Sequence, residues 1–539
     1  MKEQSTAKGF AILSMATIIQ KILSLLYVPF LVKILGGSAP YGIYYAAYQI
    51  YAFIFVLTNA GIPVAISKLV SEFVAVKNYK DAVKSFKLAR FVLIIIGTIM
   101  SIMLFALARP LAGLMKMPKA SLAVMALGPS IFCTSVSSAY RGYFQGRGNM
   151  TPTAVSQLLE QIVNTTLSLV FAALLLRYGV EAACAGATVG TTFGALVSAI
   201  YLIVTYEKNK HFRIPKEYYE QAKRKHSSKQ ILRKIANYGV PITLCIGMQN
   251  AGNLVDTGNT KSRLLAGGFA DDKATGLFGM LGQYQTLMNV PIAIISTLSV
   301  TILPAISAAV AVKDKRALSN RINYAFRVCF LIAIPSAVGF SIMSLPIYKV
   351  IYPSTSAGFR IMFLGSFILV LMSLVQIQTS ILQGIGKIYN VTIYSIIGIV
   401  VKIVTNYILI AIPTINVYGT IIGSFLGFST TIFLNYRLMK KSMRVKFGML
   451  KHAVKPLISS IIMGGAVCIV YTVINLALTL VIKKAYFDNL VAFVFAVIAG
   501  VFVYIACLAI TRGIRKSDLD SFPSKIRKLI PRPIMELIK

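Results

Sequence analysis

Phe10–Leu35 reads FAILSMATIIQKILSLLYVPFLVKIL, an apolar run flecked only by Ser14, Thr17, Gln20, Lys21, Ser24 and Lys33. About 20 apolar residues cross the hydrocarbon core of a bilayer as a helix, the form that satisfies its own backbone in lipid. Ser14, Thr17, Lys21 and Ser24 recur at helical spacing and share one face. The run therefore reads as a membrane helix with a charged face that hydrocarbon does not tolerate.

The same reading extends along the chain. Further spans are expected at Tyr44–Ser67, Leu88–Ala108, Ser121–Tyr140, Thr153–Leu176, Ala182–Tyr206 and Pro241–Leu265. A second series follows at Gly276–Val312, Ile322–Leu345, Ile361–Gln383, Asn390–Ile412, Val417–Leu438, Val454–Val481 and Asn489–Thr511. The expected fold class is all-α, a polytopic membrane protein with 14 transmembrane helices.

Composition agrees. Of 539 residues, 57% are hydrophobic and 13% charged, with mean hydropathy +0.74; soluble chains carry about a quarter charged residues. Lys and Arg number 55 against 16 Asp and Glu, a net charge of +39. Those cations lie in short gaps between apolar runs, where they set topology and meet anionic membrane lipids, so nucleic acid is not the expected partner. Cys133, Cys184, Cys245, Cys329, Cys468 and Cys507 sit inside apolar segments without C-x-x-C or metal spacing and read as packing residues. With no small-residue cleavage site after the first run, a retained helix is expected rather than a signal peptide. Trp is absent, which leaves 27 Tyr for the interfacial belts.

Alternating the spans with a cytoplasmic N-terminus places most Lys and Arg inside, chiefly in Lys68–Arg90, Lys208–Lys234, Arg437–Lys455 and the tail from Arg512. Both termini are then cytoplasmic in a multi-pass cell-membrane protein. The expected division is a six-helix lobe over 1–206, a basic linker over 207–234, a second six-helix lobe over 235–438, two extra helices within 439–511, and a basic tail over 512–539. Gln145-Gly146-Arg147-Gly148 and Gln383-Gly384-Ile385-Gly386 close the fourth and tenth spans alike. Six helices per half keeps both halves in one orientation, a parallel pseudo-twofold repeat about the membrane normal.

Polar stripes mark four spans: Lys21 and its neighbours on the first; Gln157, Glu160, Gln161, Asn164 and Ser168 on the fifth; Gln249, Asn253, Asp256, Thr260 and Arg263 on the seventh; Ser395, Lys402, Thr405 and Asn406 on the eleventh. Ionisable groups in hydrocarbon need a partner or a wet cavity. Either Lys21 pairs with Glu160, and Asp256 with Lys402 or Arg263, to lock helices together, or these groups line a cavity for anions. Gly36-Gly37, Gly267-Gly268 and Gly464-Gly465 read as turn or close-packing residues. His211, His226 and His452 lie in basic loops without an acid-base or metal pattern, Asp271-Asp272 reads as a solvated pair, and there is no P-loop. The chain is not expected to be an enzyme, to bind a metal or to carry a cofactor.

Gly61-Ile62-Pro63-Val64-Ala65-Ile66-Ser67-Lys68-Leu69-Val70-Ser71-Glu72 resembles the motif of polysaccharide-exporter-like proteins in the multidrug/oligosaccharidyl-lipid/polysaccharide (MOP) exporter superfamily. Leu254-Val255-Asp256, Leu287-Met288-Asn289-Val290-Pro291 and Ile302-Leu303-Pro304-Ala305-Ile306-Ser307 resemble the MurJ-like lipid II flippases, in their Gram-positive branch with the stage V sporulation protein B group. The resemblance spans essentially the whole chain. It implies two six-helix lobes around a central cavity, alternating access, and two last helices shaping a groove for a lipid tail.

On the same resemblance, Lys21 stands where such flippases place an arginine on their first helix. Gln285-Thr286 replace an Asp-Arg pair, which removes one anion-binding charge that Arg263 is a candidate to supply. The sodium site of ion-coupled members falls on Asp256, Lys402 and Asn406. A lysine at a sodium ligand position implies a tethered cation against Asp256, with coupling to Na+, H+ or membrane potential. The implied cargo is undecaprenyl-pyrophosphate-linked peptidoglycan precursor, lipid II, with Lys21, Glu160, Asn164, Arg263 and Gln285 contacting it and a monomer working beside the cell-wall synthesis machinery. A flippase for another polyprenyl-linked sugar is the alternative, ahead of a drug/cation antiporter, a membrane glycosyltransferase or a division scaffold.

Overall fold

The computed structural model describes residues 6–208, 226–311, 313–443, 445, 447–481, 485–511 and 513. Among them the regular elements are all helical. They run as α1 (Thr6–Leu35), α2 (Ser38–Asn59), α3 (Ile62–Ala75), α4 (Tyr79–Ala106), α5 (Ala108–Leu114), α6 (Ser121–Gly146), α7 (Thr151–Leu175), α8 (Val180–Lys208) and α9 (Ser228–Ala266). There follow α10 (Asp271–Ala311), α11 (Lys315–Ile342), α12 (Ser344–Ile351), α13 (Phe359–Gly365), α14 (Ile368–Gly384), α15 (Ile388–Leu409), α16 (Gly419–Met443), α17 (Lys451–Val481) and α18 (Ala485–Ile510).

Eleven stretches of these helices are long and apolar enough to cross a membrane, and a pair bent by 55°, ending in α13 and α14, makes a twelfth. The 39-residue α9 and the 41-residue α10 occupy the two remaining expected spans. Phe91, Ile95, Ile99, Ile102 and Phe105 line one exposed face of α4, as Ile461, Ile469, Val473, Leu476 and Leu480 do on α17. Apolar faces of that length are stable against acyl chains and not against water. The chain is a multi-pass membrane protein. Of the expected basic linker, residues 209–225 lie outside the described residues, as does the tail apart from Gly513.

The second expected span is not one continuous helix. α2 ends at Asn59 and α3 begins at Ile62, with Pro63 in its first turn, where a missing N–H costs nothing. Gly61 makes the break against α9: a Cβ there would overlap Gly239 O and Thr243 Oγ1. The fourth helix runs past the apolar stretch ending at Tyr140 and closes at Gly146, within the expected Gln145-Gly146-Arg147-Gly148 stop.

The chain divides into two compact units, Met1–Gly282 with Asn406–Val417, and Gln283–Thr405 with Tyr418–Lys539. In the first, Phe86 packs with ring centroids 4.6 Å from Tyr143 and 5.3 Å from Tyr206. In the second, Phe326, Cys329, Ile377, Ile381 and Met439 form the core.

The repeat is visible at one corner of each unit. α6 ends with Gly148 N donating to Gln145 O at 2.9 Å and Asn149 N to Phe144 O at 3.0 Å. α14 ends with Gly386 N donating to Gln383 O at 3.0 Å and Lys387 N to Leu382 O at 2.9 Å. Gly148 and Gly386 take φ of +71° and +81°, the left-handed stop that glycine adopts without a Cβ penalty. The glycine before each stop receives the same motif. A Cβ on Gly146 would lie 2.7 Å from Ser67 O, in Ala65-Ile66-Ser67; one on Gly384 would lie 2.8 Å from Ile306 Cγ2, in Ala305-Ile306-Ser307.

Candidate functional site

The polar face of α7 is buried because α8 lets it approach. Gly186, Gly190 and Gly194 recur every four residues on α8, the spacing by which small residues bring membrane helices into backbone contact. A Cβ on Gly186 would lie 2.6 Å from Phe171 O, and one on Gly194 2.5 Å from Glu160 O. The polar residues of α7 therefore meet side chains of α8, α6 and α2 rather than lipid.

Two clusters result. At Glu160, Arg141 of α6 donates from Nη2 to Glu160 Oε2 at 2.6 Å and to Ser198 Oγ at 2.8 Å, and from Nε to Ser156 Oγ at 3.0 Å. Glu160 thus pairs with Arg141, not with Lys21. One turn along, Asn164 Oδ1 accepts from Ser168 Oγ at 3.0 Å and from Thr191 Oγ1 at 3.1 Å. Thr191 has then used its hydroxyl hydrogen, so Tyr48 is the donor in its 2.7 Å contact with Thr191. Tyr48 belongs to an aromatic row on α2, Tyr41, Tyr44, Tyr48, Tyr51 and Phe55, whose neighbouring rings lie 5.1–5.9 Å apart.

Lys21 lies on α1, which packs along α7. Its side chain is exposed on the first unit, and among the described residues no carboxylate lies within ion-pair distance of it. Lys21 thus differs from Glu160 and Asn164 of α7, which are already hydrogen-bonded to other side chains.

The remaining expected residues are distributed. Arg263 holds the end of α15: its Nε donates to Tyr407 O at 2.9 Å, and its guanidinium lies 4.0 Å over the Tyr407 ring. Asp256 lies on α9, and its side chain is outside the described residues, as are those of Gln249 and Asn253. Asn406 is fully buried in the first unit, while Lys402 belongs to the second. There Lys402 Cβ borders Gly427 of α16 closely enough that a Cβ on that glycine would lie 2.9 Å away. Gln285 is half-buried on α10, two residues after Gln283, which donates to Thr355 Oγ1 at 3.1 Å.

Three polar contacts join residues that the sequence pattern does not pair. Arg141 lies one residue beyond the apolar stretch drawn to Tyr140 and short of the Gln145-Gly146-Arg147-Gly148 stop, outside the four polar stripes. Asp271 is not merely solvated: its Oδ1 accepts from Lys261 Nζ at 2.9 Å, and the Lys261 side chain is 3% exposed. His226 Nδ1 lies 2.7 Å from Oδ2 of buried Asp81 and its Nε2 3.2 Å from Lys234 Nζ, tying the start of α9 to α4. Among the described residues no three His, Cys, Asp or Glu side chains are grouped to hold a metal ion.

Residues 6–310 match the family described as "Polysaccharide biosynthesis protein". The stage V sporulation protein B of Bacillus subtilis (strain 168) is 27% identical over 530 residues, 97% of this chain and 98% of its own. The lipid II flippase MurJ of the same organism is 26% identical over 521 residues, 93% of this chain and 94% of its own. A solved structure of lipid II flippase MurJ in an inward closed conformation has TM-score 0.67 at 16% identity, covering 93% of this chain and 98% of that one. An inward-facing multidrug resistance MATE transporter of the MOP superfamily has TM-score 0.62 at 16% identity, covering 80% and 99%. With a fold shared with MurJ and MATE transporters, and a sequence match across more than half its length, the chain belongs to the polysaccharide biosynthesis protein family.

Proposed function

We propose that the chain is a flippase that carries lipid II, the undecaprenyl-pyrophosphate-linked peptidoglycan precursor, from the inner to the outer leaflet by alternating access. Both termini are cytoplasmic in this reading, as the distribution of Lys and Arg favours. No covalent bond is made or broken. The observation that carries the proposal is the contrast on the first unit: Glu160 is ion-paired with Arg141 at 2.6 Å, while among the described residues Lys21 has no carboxylate within ion-pair distance. Similarity to MurJ across 93% of the chain supports the cargo.

Lys21 binds the pyrophosphate in this reading, and Glu160, Asn164 and Arg263 of the first unit and Gln285 of the second are the further residues proposed to meet the cargo. Asp256 and Asn406 of the first unit and Lys402 of the second are the residues proposed to couple transport to Na+, H+ or membrane potential. A carrier of another polyprenyl-linked oligosaccharide is the second reading, favoured by the family's own description. Depletion in a cell-wall-synthesising host separates them. Lipid II trapped in the inner leaflet supports the first reading; unchanged lipid II with a different lipid-linked sugar trapped inside overturns it.

A further inference from the structure

The second unit carries a basic cleft that the proposed transport does not use. α11 and α17 pack together, and between their first turns lies a cleft of about 720 Å³. Arg321 and Arg327 reach it from α11, Lys451 and His452 from α17, and no carboxylate lines it. Among the described residues, Arg321 and Lys451 have no carboxylate within ion-pair distance.

Asn323 fixes the geometry. Its Oδ1 accepts from Gly448 N at 3.2 Å and lies 3.0 Å from His452 Nε2, while its Nδ2 donates to Ser319 O at 2.9 Å. The chain before α17 is thereby fastened to α11. Lys451 and His452 stand in the first turn of α17, which has no acidic residue. A helix N-terminus disfavours cations and favours anions, so an anion between Lys451 and Arg321 relieves an arrangement that is otherwise repulsive.

The neighbouring surface says what carries that anion. Leu450, Val454, Leu457 and Ile461 are all exposed and recur at helical spacing away from the cleft. α17 spans 31 residues, about 46 Å at 1.5 Å per residue, so its first turns lie at the headgroup level when its centre crosses the hydrocarbon. A phosphate in the cleft with acyl chains along this stripe satisfies both surfaces at once. A soluble anion would leave the stripe unused.

We infer that the cleft between the first turns of α11 and α17 binds the phosphate headgroup of an anionic membrane lipid, with its acyl chains laid along the exposed stripe of α17. The site is separate from the polar wall of the first unit and does not depend on the cargo.

Purified full-length protein in micelles, titrated with phosphatidylglycerol or phosphatidylcholine and read by native mass spectrometry, tests this. Phosphatidylglycerol is expected to bind in preference, and Arg321→Gln with Lys451→Gln to weaken it about tenfold or more. Lys315→Gln with Arg316→Gln removes equal charge from the start of α11 without touching the cleft and is expected to leave the preference intact. All four side chains are exposed, and matching melting temperatures check folding. Should a substituted protein melt early, Arg321→Lys with Lys451→Arg keeps the charges and must retain the preference. Equal loss in both charge-neutralised proteins, or no preference in the unaltered protein, overturns the site. Displacement by inorganic phosphate at equal concentration would assign it to a soluble anion, and displacement by polyprenyl pyrophosphate to the cargo; either result overturns the inference.

Discussion

Arg141 Nη2 lies 2.6 Å from Glu160 Oε2, with both side chains largely buried between α6, α7 and α8. Removing one partner strands the other charge away from water, which costs about 3–5 kcal/mol for a buried pair. Arg141→Met or Glu160→Leu alone is expected to lower the melting temperature of the purified protein sharply. The double substitution is expected to recover most of the loss, because it removes both charges together. Additive losses would show that the pair does not couple.

Lys21 has the opposite character. With no carboxylate paired to it among the described residues, Lys21→Ala is expected to leave melting within about 0.5 kcal/mol while abolishing complementation of a flippase-depleted host. Lys21→Arg keeps the charge and is expected to restore growth. Full growth with Lys21→Ala would remove this residue from the transport cycle.

The packing of α7 on α8 gives an asymmetric test among glycines. Gly194→Val must displace the Glu160 carbonyl, 2.5 Å from the first added atom, and is expected to cost about 1–3 kcal/mol or more. Gly113→Ala on α5 meets nothing within 4 Å and is expected to be neutral or to stabilise by about 0.4–1 kcal/mol. Thermal unfolding of the two proteins side by side checks both signs.

The α2–α3 break offers a similar contrast across one contact. Gly61→Ala would overlap Gly239 O, whereas Gly239→Ala would meet Gly61 only at 3.5 Å, an ordinary contact distance. The first is expected to destabilise by about 1–3 kcal/mol and to slow transport; the second is expected to be tolerated. Equal effects from the two would mean that α9 does not press on the break.

Lys402→Ala tests the coupling element without disturbing the helix contact. Alanine keeps the Cβ that borders Gly427 and removes the rest of the side chain with its ammonium, so the close approach of α15 to α16 is expected to persist. Flipping, measured in vesicles with and without Na+, is expected to fall or to become Na+-dependent. Flipping that stays intact and Na+-independent would rule out the tethered-cation idea.

The positions of the membrane helices were legible in the chain because lipid imposes a one-dimensional constraint. A segment must be apolar over about 20 residues to cross, and no packing partner relaxes that requirement. Each of the expected spans overlaps helix in the structure, although the second is broken between Asn59 and Ile62 and the tenth is bent between Gly365 and Ile368. The repeat was legible for a local reason too, since Gln-Gly-x-Gly writes a left-handed helix stop at Gly148 and again at Gly386.

The partners of the charges were not legible. The polar stripes left open whether Glu160 pairs with Lys21 or lines a cavity, and Arg141 takes the carboxylate because Gly186, Gly190 and Gly194 draw α8 onto α7 beside α6. The signal was present in that glycine spacing, but a spacing does not say which helix fills the groove. Asp271 with Lys261, and Asp81 with His226, likewise join residues whose meeting depends on how whole helices dock. The sequence by itself determined that this protein lives in a membrane, where its helices cross, and that they carry charge. Tertiary structure alone decided which charges cancel and which remain free, because pairing is set by side chains meeting within about 4 Å, and only helix packing fixes distances that short.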